Sequence, residues 1–116
     1  MWTILQVIPE LSAGGAERTT IEIAEAVHAR GGRALVASEG GRLEKELSEA
    51  GGELIRLPLS TKNPFEMRKN ADRLAELALA RRVDLIHARS RAPAWSAYWA
   101  SKRLRLPFVT TYHGIY

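Results

Sequence analysis

The sequence predicts an α/β domain in which a parallel sheet carries helices on both faces. Five short apolar runs alternate with four stretches of helical periodicity along the chain. The connections between them are short, which favours right-handed crossovers and parallel strands. A length of 116 residues suits one domain or part of one. We therefore expect a doubly wound sheet with strand order 3-2-1-4-5.

The first half of the chain reads as strand, helix, strand, helix, strand. Strands are predicted at residues 2–8, 33–38 and 53–57. A helix is predicted at residues 16–30, with Thr20, Ala24 and Val27 on its inner face. Gly31 and Gly32 follow it as a glycine C-cap would. A shorter helix is predicted at residues 42–50.

The second half continues the alternation. Asn63 and Pro64 form a strong helix start, which predicts a helix at residues 64–82. Strands are predicted at residues 83–87 and 107–112, and a helix at residues 93–104. This last helix holds Trp95, Tyr98 and Trp99, a spacing more typical of core or interdomain packing than of a ligand platform.

Composition limits the classes of function. Hydrophobic residues make up 46% and charged residues 26% of the chain, as in ordinary globular proteins. Cysteine is absent, which excludes disulfides and thiolate chemistry. No apolar run approaches the ~20 residues that span a bilayer, and no signal peptide is recognisable, so we expect a cytoplasmic protein.

The net charge of +4 favours anionic partners such as nucleotides, phosphorylated substrates or anionic lipid surfaces. No recognition helix or aromatic and basic pattern typical of nucleic-acid binding is present. The basic residues of helix 64–82 suit two interpretations. They form a solvated face, or they lie near an anionic membrane surface, where the protein would be peripheral.

A glycine-containing turn joins the first strand to the first helix. The segment Ser12-Ala13-Gly14-Gly15-Ala16-Glu17-Arg18 matches neither the P-loop nor the dinucleotide-binding pattern. Adjacent glycines allow positive φ and close approach by another group, and a helix N-terminus favours an anion. The turn therefore suits a phosphate, although a tight connection without a ligand fits it equally well.

Other polar residues follow strands 4 and 5. In a doubly wound sheet, ligands bind at the carboxyl ends of the strands, where the strand order reverses. His87 ends strand 4, Arg89 and Arg91 lie in the predicted loop beyond it, and His113-Gly114 ends strand 5. These residues could contact a substrate, although His87 could instead bond a neighbouring loop and the arginines could pair with carboxylates.

Several kinds of site have no signature here. There is no nucleophilic serine elbow, no carboxylate pair spaced for glycoside hydrolysis and no histidine-rich cluster. We therefore expect no catalytic metal.

Three segments together resemble the amino-terminal half of glycosyltransferase family 4, retaining sugar transferases of GT-B fold. They are Gly14-Gly15-Ala16-Glu17-Arg18, the run Asp84-Leu85-Ile86-His87-Ala88-Arg89-Ser90-Arg91-Ala92-Pro93-Ala94-Trp95, and Val109-Thr110-Thr111-Tyr112-His113-Gly114. Their order and spacing match over nearly the whole chain. The resemblance implies two Rossmann-like domains facing each other across a cleft.

The resemblance also implies roles for these residues. His113 would face the transferred sugar as the catalytic residue, and Gly114 would lie beside it. Gly14 and Gly15 would approach the donor diphosphate, with Glu17 and Arg18 in the same binding segment. His87, Arg89 and Arg91 would serve the acceptor. The implied reaction moves a sugar from a nucleotide diphosphate to a glycan or lipid-linked acceptor of the cell envelope, with retention and without a metal cofactor.

The chain departs from the family pattern in one respect. The donor domain, with its paired glutamates and basic pair, is absent from residues 1–116. We therefore expect an incomplete half of the GT-B fold that is inactive alone and could dimerise through exposed apolar surface. The alternative is a non-catalytic Rossmann-like module that binds a nucleotide or a partner and is completed by another chain.

Overall fold

The computed structural model describes residues 2–11, 15–89 and 91–111 of the chain. Nine elements follow one another in strict alternation within these residues. The strands are β1 (Thr3–Val7), β2 (Arg33–Ser38), β3 (Gly52–Arg56), β4 (Leu85–Arg89) and β5 (Phe108–Thr111). The helices are α1 (Gly15–Ala29), α2 (Glu44–Glu49), α3 (Pro64–Ala80) and α4 (Arg91–Leu104).

All five strands are parallel, and their order across the sheet is β3-β2-β1-β4-β5. The predicted Rossmann-like doubly wound topology is therefore confirmed. β1 lies at the centre, with Gln6 in register with Val36 of β2 on one side and with His87 of β4 on the other.

Two apolar cores flank the sheet, because successive side chains of a strand point to opposite faces. Leu5, Val7 and Ile86 face α3 and α4, in a core that includes Leu74 and Ala97. A second core on the opposite face lies under α1 and α2. Its members are Ile8, Leu11, Ile21, Ala24, Val27, Ala34, Val36, Leu43, Leu47 and Ala50.

The helix ends follow recognisable local chemistry. Asn63 caps α3, its Oδ1 accepting hydrogen bonds from the backbone N–H groups of Phe65 at 2.9 Å and Glu66 at 3.4 Å. After α1, Gly31 adopts a φ of 81°, and Gly32 N donates to the carbonyl of Val27. This is a Schellman motif, so the predicted glycine C-cap is confirmed.

At the candidate site, the end of one strand and the start of one helix differ from the prediction. β4 extends to Arg89, because the backbone of residues 88–89 continues to pair with β5. α4 begins at Arg91 rather than at residue 93. The predicted loop carrying both arginines is therefore wrong: Arg89 belongs to the strand and Arg91 to the helix.

Candidate functional site

The carboxyl ends of β1, β4 and β5 lie side by side. Val7 is in register with Ala88, and Arg89 is in register with Thr111. The chain leaves β1 toward one face of the sheet and β4 toward the other, so the strand order reverses between them. This is the kind of position at which open parallel sheets bind ligands.

Arg89 is the most informative residue at this edge. Its side chain is only 2% exposed, although arginine is almost never buried without a partner. Nη2 donates a hydrogen bond of 2.9 Å to Oε1 of Gln6, and Gln6 Nε2 donates one of 3.0 Å to the carbonyl of Thr20 in α1. A buried polar chain therefore links β4, β1 and α1.

The charge of Arg89 is not balanced by any residue that the structure describes. The ion pairs found in the described ranges involve other residues, and Nε of Arg89 has no hydrogen-bond partner there. Burial lowers the pKa of Arg89, because the charged form loses hydration, yet a guanidinium stays protonated at neutral pH. The site can therefore stabilise an anion.

His87 lies on the same side of the sheet as Arg89. It is two residues earlier on β4, and side chains at this spacing share a face. Gln6 is in register with His87, and its side chain reaches α1 on that face. The imidazole of His87 is half-buried. The structure thus brings His87, Gln6 and Arg89 together at the carboxyl half of neighbouring strands.

Gly15 is the first residue of α1, and its backbone does not adopt the positive φ expected of the glycine turn. A Cβ placed on Gly15 would meet no atom of the described residues within 4 Å. Within that part of the chain, neither backbone conformation nor packing requires glycine at this position. Gly14 lies outside the described residues.

Glu17 and Arg18 lie in the first turn of α1. Arg18 forms an ion pair of 2.5 Å with Glu46 of α2, in which both side chains are about half exposed. Surface pairs of this kind contribute about 0–1 kcal/mol, so Arg18 ties α1 to α2 only weakly. Glu17 is half-buried.

The remaining predicted site residues are only partly described. Arg91 opens α4, but its side chain lies outside the described part of the structure. His113 and Gly114 follow β5 and also lie outside it. The described segments contain no group of three or more His, Asp or Glu placed to hold a metal ion.

Sequence reasoning missed Gln6, which connects Arg89 to α1. A polar residue in the middle of the apolar run Ile4-Leu5-Gln6-Val7-Ile8 is the signal that could have identified it. A buried amide needs hydrogen-bond partners, and here it accepts from the guanidinium and donates to the helix.

The comparisons with known proteins agree with this architecture. The family described as Glycosyltransferase Family 4 matches residues 13–116. A comparison with curated protein sequences gives no significant match. The crystal structure of a glycosyltransferase from Rickettsia africae is 45% identical, with a TM-score of 0.89 over 99% of this chain.

More distant structures share the fold. MurG from Acinetobacter baumannii is 12% identical, with a TM-score of 0.78 over 99% of this chain. A UDP-GlcNAc 2-epimerase from Neisseria meningitidis, crystallised with UDP-GlcNAc, is 12% identical, with a TM-score of 0.59 over 97% of this chain. The present chain spans 30%, 37% and 33% of the rickettsial, MurG and epimerase chains, respectively.

Proposed function

Because this chain belongs to glycosyltransferase family 4, we propose that it is the acceptor-side domain of a retaining glycosyltransferase. The enzyme would transfer a sugar from a nucleotide diphosphate to a glycan or lipid-linked acceptor of the cell envelope. The observation that carries the proposal is the buried guanidinium of Arg89, which no described carboxylate compensates, at the edge where the strand order reverses.

Arg89 serves the acceptor side in this proposal. Its cation would pair with an anionic group of the acceptor, and Gln6 would hold the guanidinium in place through the bond to Nη2. His87 and Arg91 would contact the same substrate. A preorganised cation in a poorly hydrated site stabilises negative charge far more than it would in water.

The donor would approach from the α1 side. Gly15 supports this, because no residue that the structure describes requires a glycine there, and the described surroundings leave space beside it. Free N–H groups at the start of α1 would bind the departing diphosphate, together with Gly14, Glu17 and Arg18. His113 would act as the catalytic residue beside the transferred sugar, next to Gly114. We propose that no divalent ion takes part.

Besides its substrates, we propose two partners for the protein, a membrane surface and a second copy of this chain. Among the residues that the structure describes, no helix is long and apolar enough to cross a bilayer. A peripheral position at the inner face of the cytoplasmic membrane would bring the protein to a lipid-linked acceptor. A homodimer could form through β5, where Val109 is 45% exposed. Sedimentation velocity with Val109→Lys as the variant tests that contact.

The transfer reaction is tested with the full-length protein and a panel of nucleotide sugars, offered with lipid-linked and free glycan acceptors. We expect transfer with the anomeric configuration of the donor retained in the product, as read by NMR coupling constants. His113→Ala should abolish turnover. Inversion at the anomeric carbon would disprove the retaining mechanism, and failure with every donor would leave the binding-module alternative.

A further inference from the structure

A group of arginines lies at the amino-terminal edge of the sheet, opposite to the edge that holds Arg89. β1, β2 and β3 begin at this edge, and α3, which runs antiparallel to the strands, ends there. A recess of about 430 Å³ opens between the strand starts and the helix end. We call it the amino-edge recess. Its described lining consists of Thr3, Arg33, Ala80, Arg81 and Arg82.

The strands direct Arg33 toward the end of α3. Thr3 of β1 is in register with Arg33 of β2. Residues two apart on a strand share a face, so Thr3 lies on the face of Leu5 and Arg33 on the face of Leu35. Both leucines pack in the core under α3 and α4. Arg33 therefore lies on the α3 side of the sheet, where Arg81 and Arg82 also line the recess.

Positive charge is in excess around the amino-edge recess. Arg81 is paired with Glu53, its two terminal nitrogens lying 2.9 and 2.5 Å from the carboxylate oxygens. The ion pairs among the described residues include neither Arg33 nor Arg82, and both side chains are exposed. Asp84 also lies near the recess, where its Oδ2 accepts a hydrogen bond of 2.7 Å from a backbone N–H of β1. Three described guanidinium groups thus face two carboxylates.

Arg82 occupies a backbone position that favours glycine. Its φ is 53°, in the left-handed region, and it directly follows Arg81, the C-cap of α3. A residue with a Cβ is disfavoured in this conformation, whereas glycine is not. The dipole of α3 does not require a cation here, because Arg81 already places one at the helix end. An anionic ligand would account for arginine at this position.

We propose that the amino-edge recess binds an oligophosphate, a chain of two or more phosphate groups. Arg33 and Arg82 would contact the phosphates from β2 and from the end of α3, and Arg81 would join them by exchanging Glu53 for the ligand. A guanidinium binds phosphate oxygens through paired N–H donors, so three of them suit a ligand with several adjacent phosphates.

The size and lining of the recess narrow the ligand class. Its volume lies in the range of small-molecule sites, about 300–1,000 Å³. The described lining includes no aromatic ring that could stack on a nucleobase. We therefore expect recognition of the phosphate chain alone, whether it is inorganic or part of a nucleotide.

This site is separate from the proposed reaction site. The two edges of the sheet are roughly 17 Å apart, the length of a five-residue strand such as β1. An oligophosphate at the amino edge would therefore be an effector rather than a substrate. Its binding does not rest on the proposed function.

The test measures binding of tripolyphosphate to the full-length protein by calorimetry, at low and high salt. Hydrogen–deuterium exchange locates the ligand, because the proposed diphosphate site at the start of α1 could hold a second one. We expect protection of residues 80–84 and 31–34, weakened by salt since the cations are exposed. Adenosine triphosphate should protect the same residues with similar affinity. Far tighter binding of the nucleotide would show that the base is recognised and would refute recognition of the phosphate chain alone.

Arg82→Gly is the decisive variant, because it removes a cation while relieving the backbone. We expect it to weaken tripolyphosphate binding at the amino edge about tenfold, since a charge-assisted contact is lost, with no loss of stability in urea titrations. Arg33→Gln should weaken binding similarly. Arg105→Gly is the matched control, because Arg105 has a φ of 56° after α4 and is not among the described lining residues. It should leave binding unchanged.

Glu53→Gln should have the opposite effect. It frees Arg81 and removes a negative charge beside the ligand, so binding should tighten about threefold. A gain in this variant together with a loss in Arg33→Gln cannot come from general disruption of the fold.

Several outcomes would overturn the proposal. They are no protection at the amino edge, equal losses in Arg82→Gly and Arg105→Gly, or weaker binding in Glu53→Gln. Amino-edge protection in a full-length protein that transfers no sugar would refute the proposed function and leave this inference standing. Transfer without amino-edge protection would do the reverse.

Discussion

Arg89 combines an unfavourable burial with a favourable position for function, and this predicts opposite effects on stability and activity. An unpaired charge in the interior costs several kcal/mol, whereas the bond to Gln6 contributes about 1–3 kcal/mol. We expect Arg89→Met to raise the free energy of unfolding by about 1 kcal/mol in urea titrations. The same variant should lower transfer by the full-length enzyme at least about 100-fold.

The Arg89→Lys variant distinguishes the effect of the positive charge from the effect of the guanidinium shape. Lysine keeps the cation but not the planar fork, so we expect partial activity and no gain in stability. If Arg89→Met destabilised the protein and left transfer unchanged, the arginine would be a structural residue and the anion site would be refuted.

For single residues, the sequence predicted which side chains lie near the candidate site better than it predicted their burial and contacts. The sequence predicts Arg89 in a loop beyond strand 4, whereas the structure places it at the end of that strand, buried beside Gln6. Burial could not be read from the sequence, because the chain continues through Arg91 with the polar composition of a loop. His113 stays a prediction, since it lies outside the described residues.

Three helices end in the same Schellman geometry with different residues at the left-handed position. α1 has Gly31 there, whereas α3 has Arg82 with φ 53° and α4 has Arg105 with φ 56°. A residue with a Cβ pays about 1–2 kcal/mol in this conformation. We therefore expect Arg105→Gly to raise the free energy of unfolding by about 1 kcal/mol. Gly31→Ala, the converse change, should lower it by a similar amount, and equal effects of both variants would contradict the argument.

Glu53 of the edge strand β3 is tied to the end of α3 by Arg81, whose two terminal nitrogens lie 2.9 and 2.5 Å from the carboxylate oxygens. These hydrogen bonds lower the pKa of Glu53. A carboxyl with a lowered folded-state pKa stabilises the fold above its unfolded pKa, and that contribution is lost as the pH falls through the folded value.

We therefore expect Glu53→Gln to cost about 0.5 kcal/mol at pH 7, because the pair is largely exposed. The difference from the parent protein should shrink as the pH falls below the ordinary carboxyl pKa, and should be smaller at about pH 3 than at pH 7. Urea titrations at the two pH values measure this. The stability of the variant should still depend on pH through Glu44. The backbone N–H of Gly41 and the Arg56 side chain lower the pKa of that carboxyl as well. A deficit of the same size at both pH values would show that Glu53 acts through packing rather than charge.

Element order and strand pairing could be predicted because they depend on patterns that repeat along the chain. The apolar runs, the cap at Asn63 and the glycines after α1 each specify a boundary locally. The surface of α4 could not be predicted in the same way. Trp95, Tyr98 and Trp99 have the spacing of a core face, but alanines at positions 94, 97 and 100 fill that role and leave the rings outside.

At the scale of the whole molecule, the carboxyl edge of the sheet supplies one side of the reaction site that we propose. The carboxyl edge offers the cation of Arg89 and the open approach beside Gly15, while the solved relatives are about three times as long as this chain. Transfer with a charged leaving group needs donors on both sides of the departing diphosphate, because charge develops there in the transition state. We therefore expect residues 1–116 alone to show no turnover above background with any nucleotide sugar, in an assay of nucleotide diphosphate release. The matched comparison is the full-length protein at equal concentration. Turnover by the 116-residue chain itself would show that one Rossmann-like half carries the complete site, and would refute the division of labour proposed for the two halves.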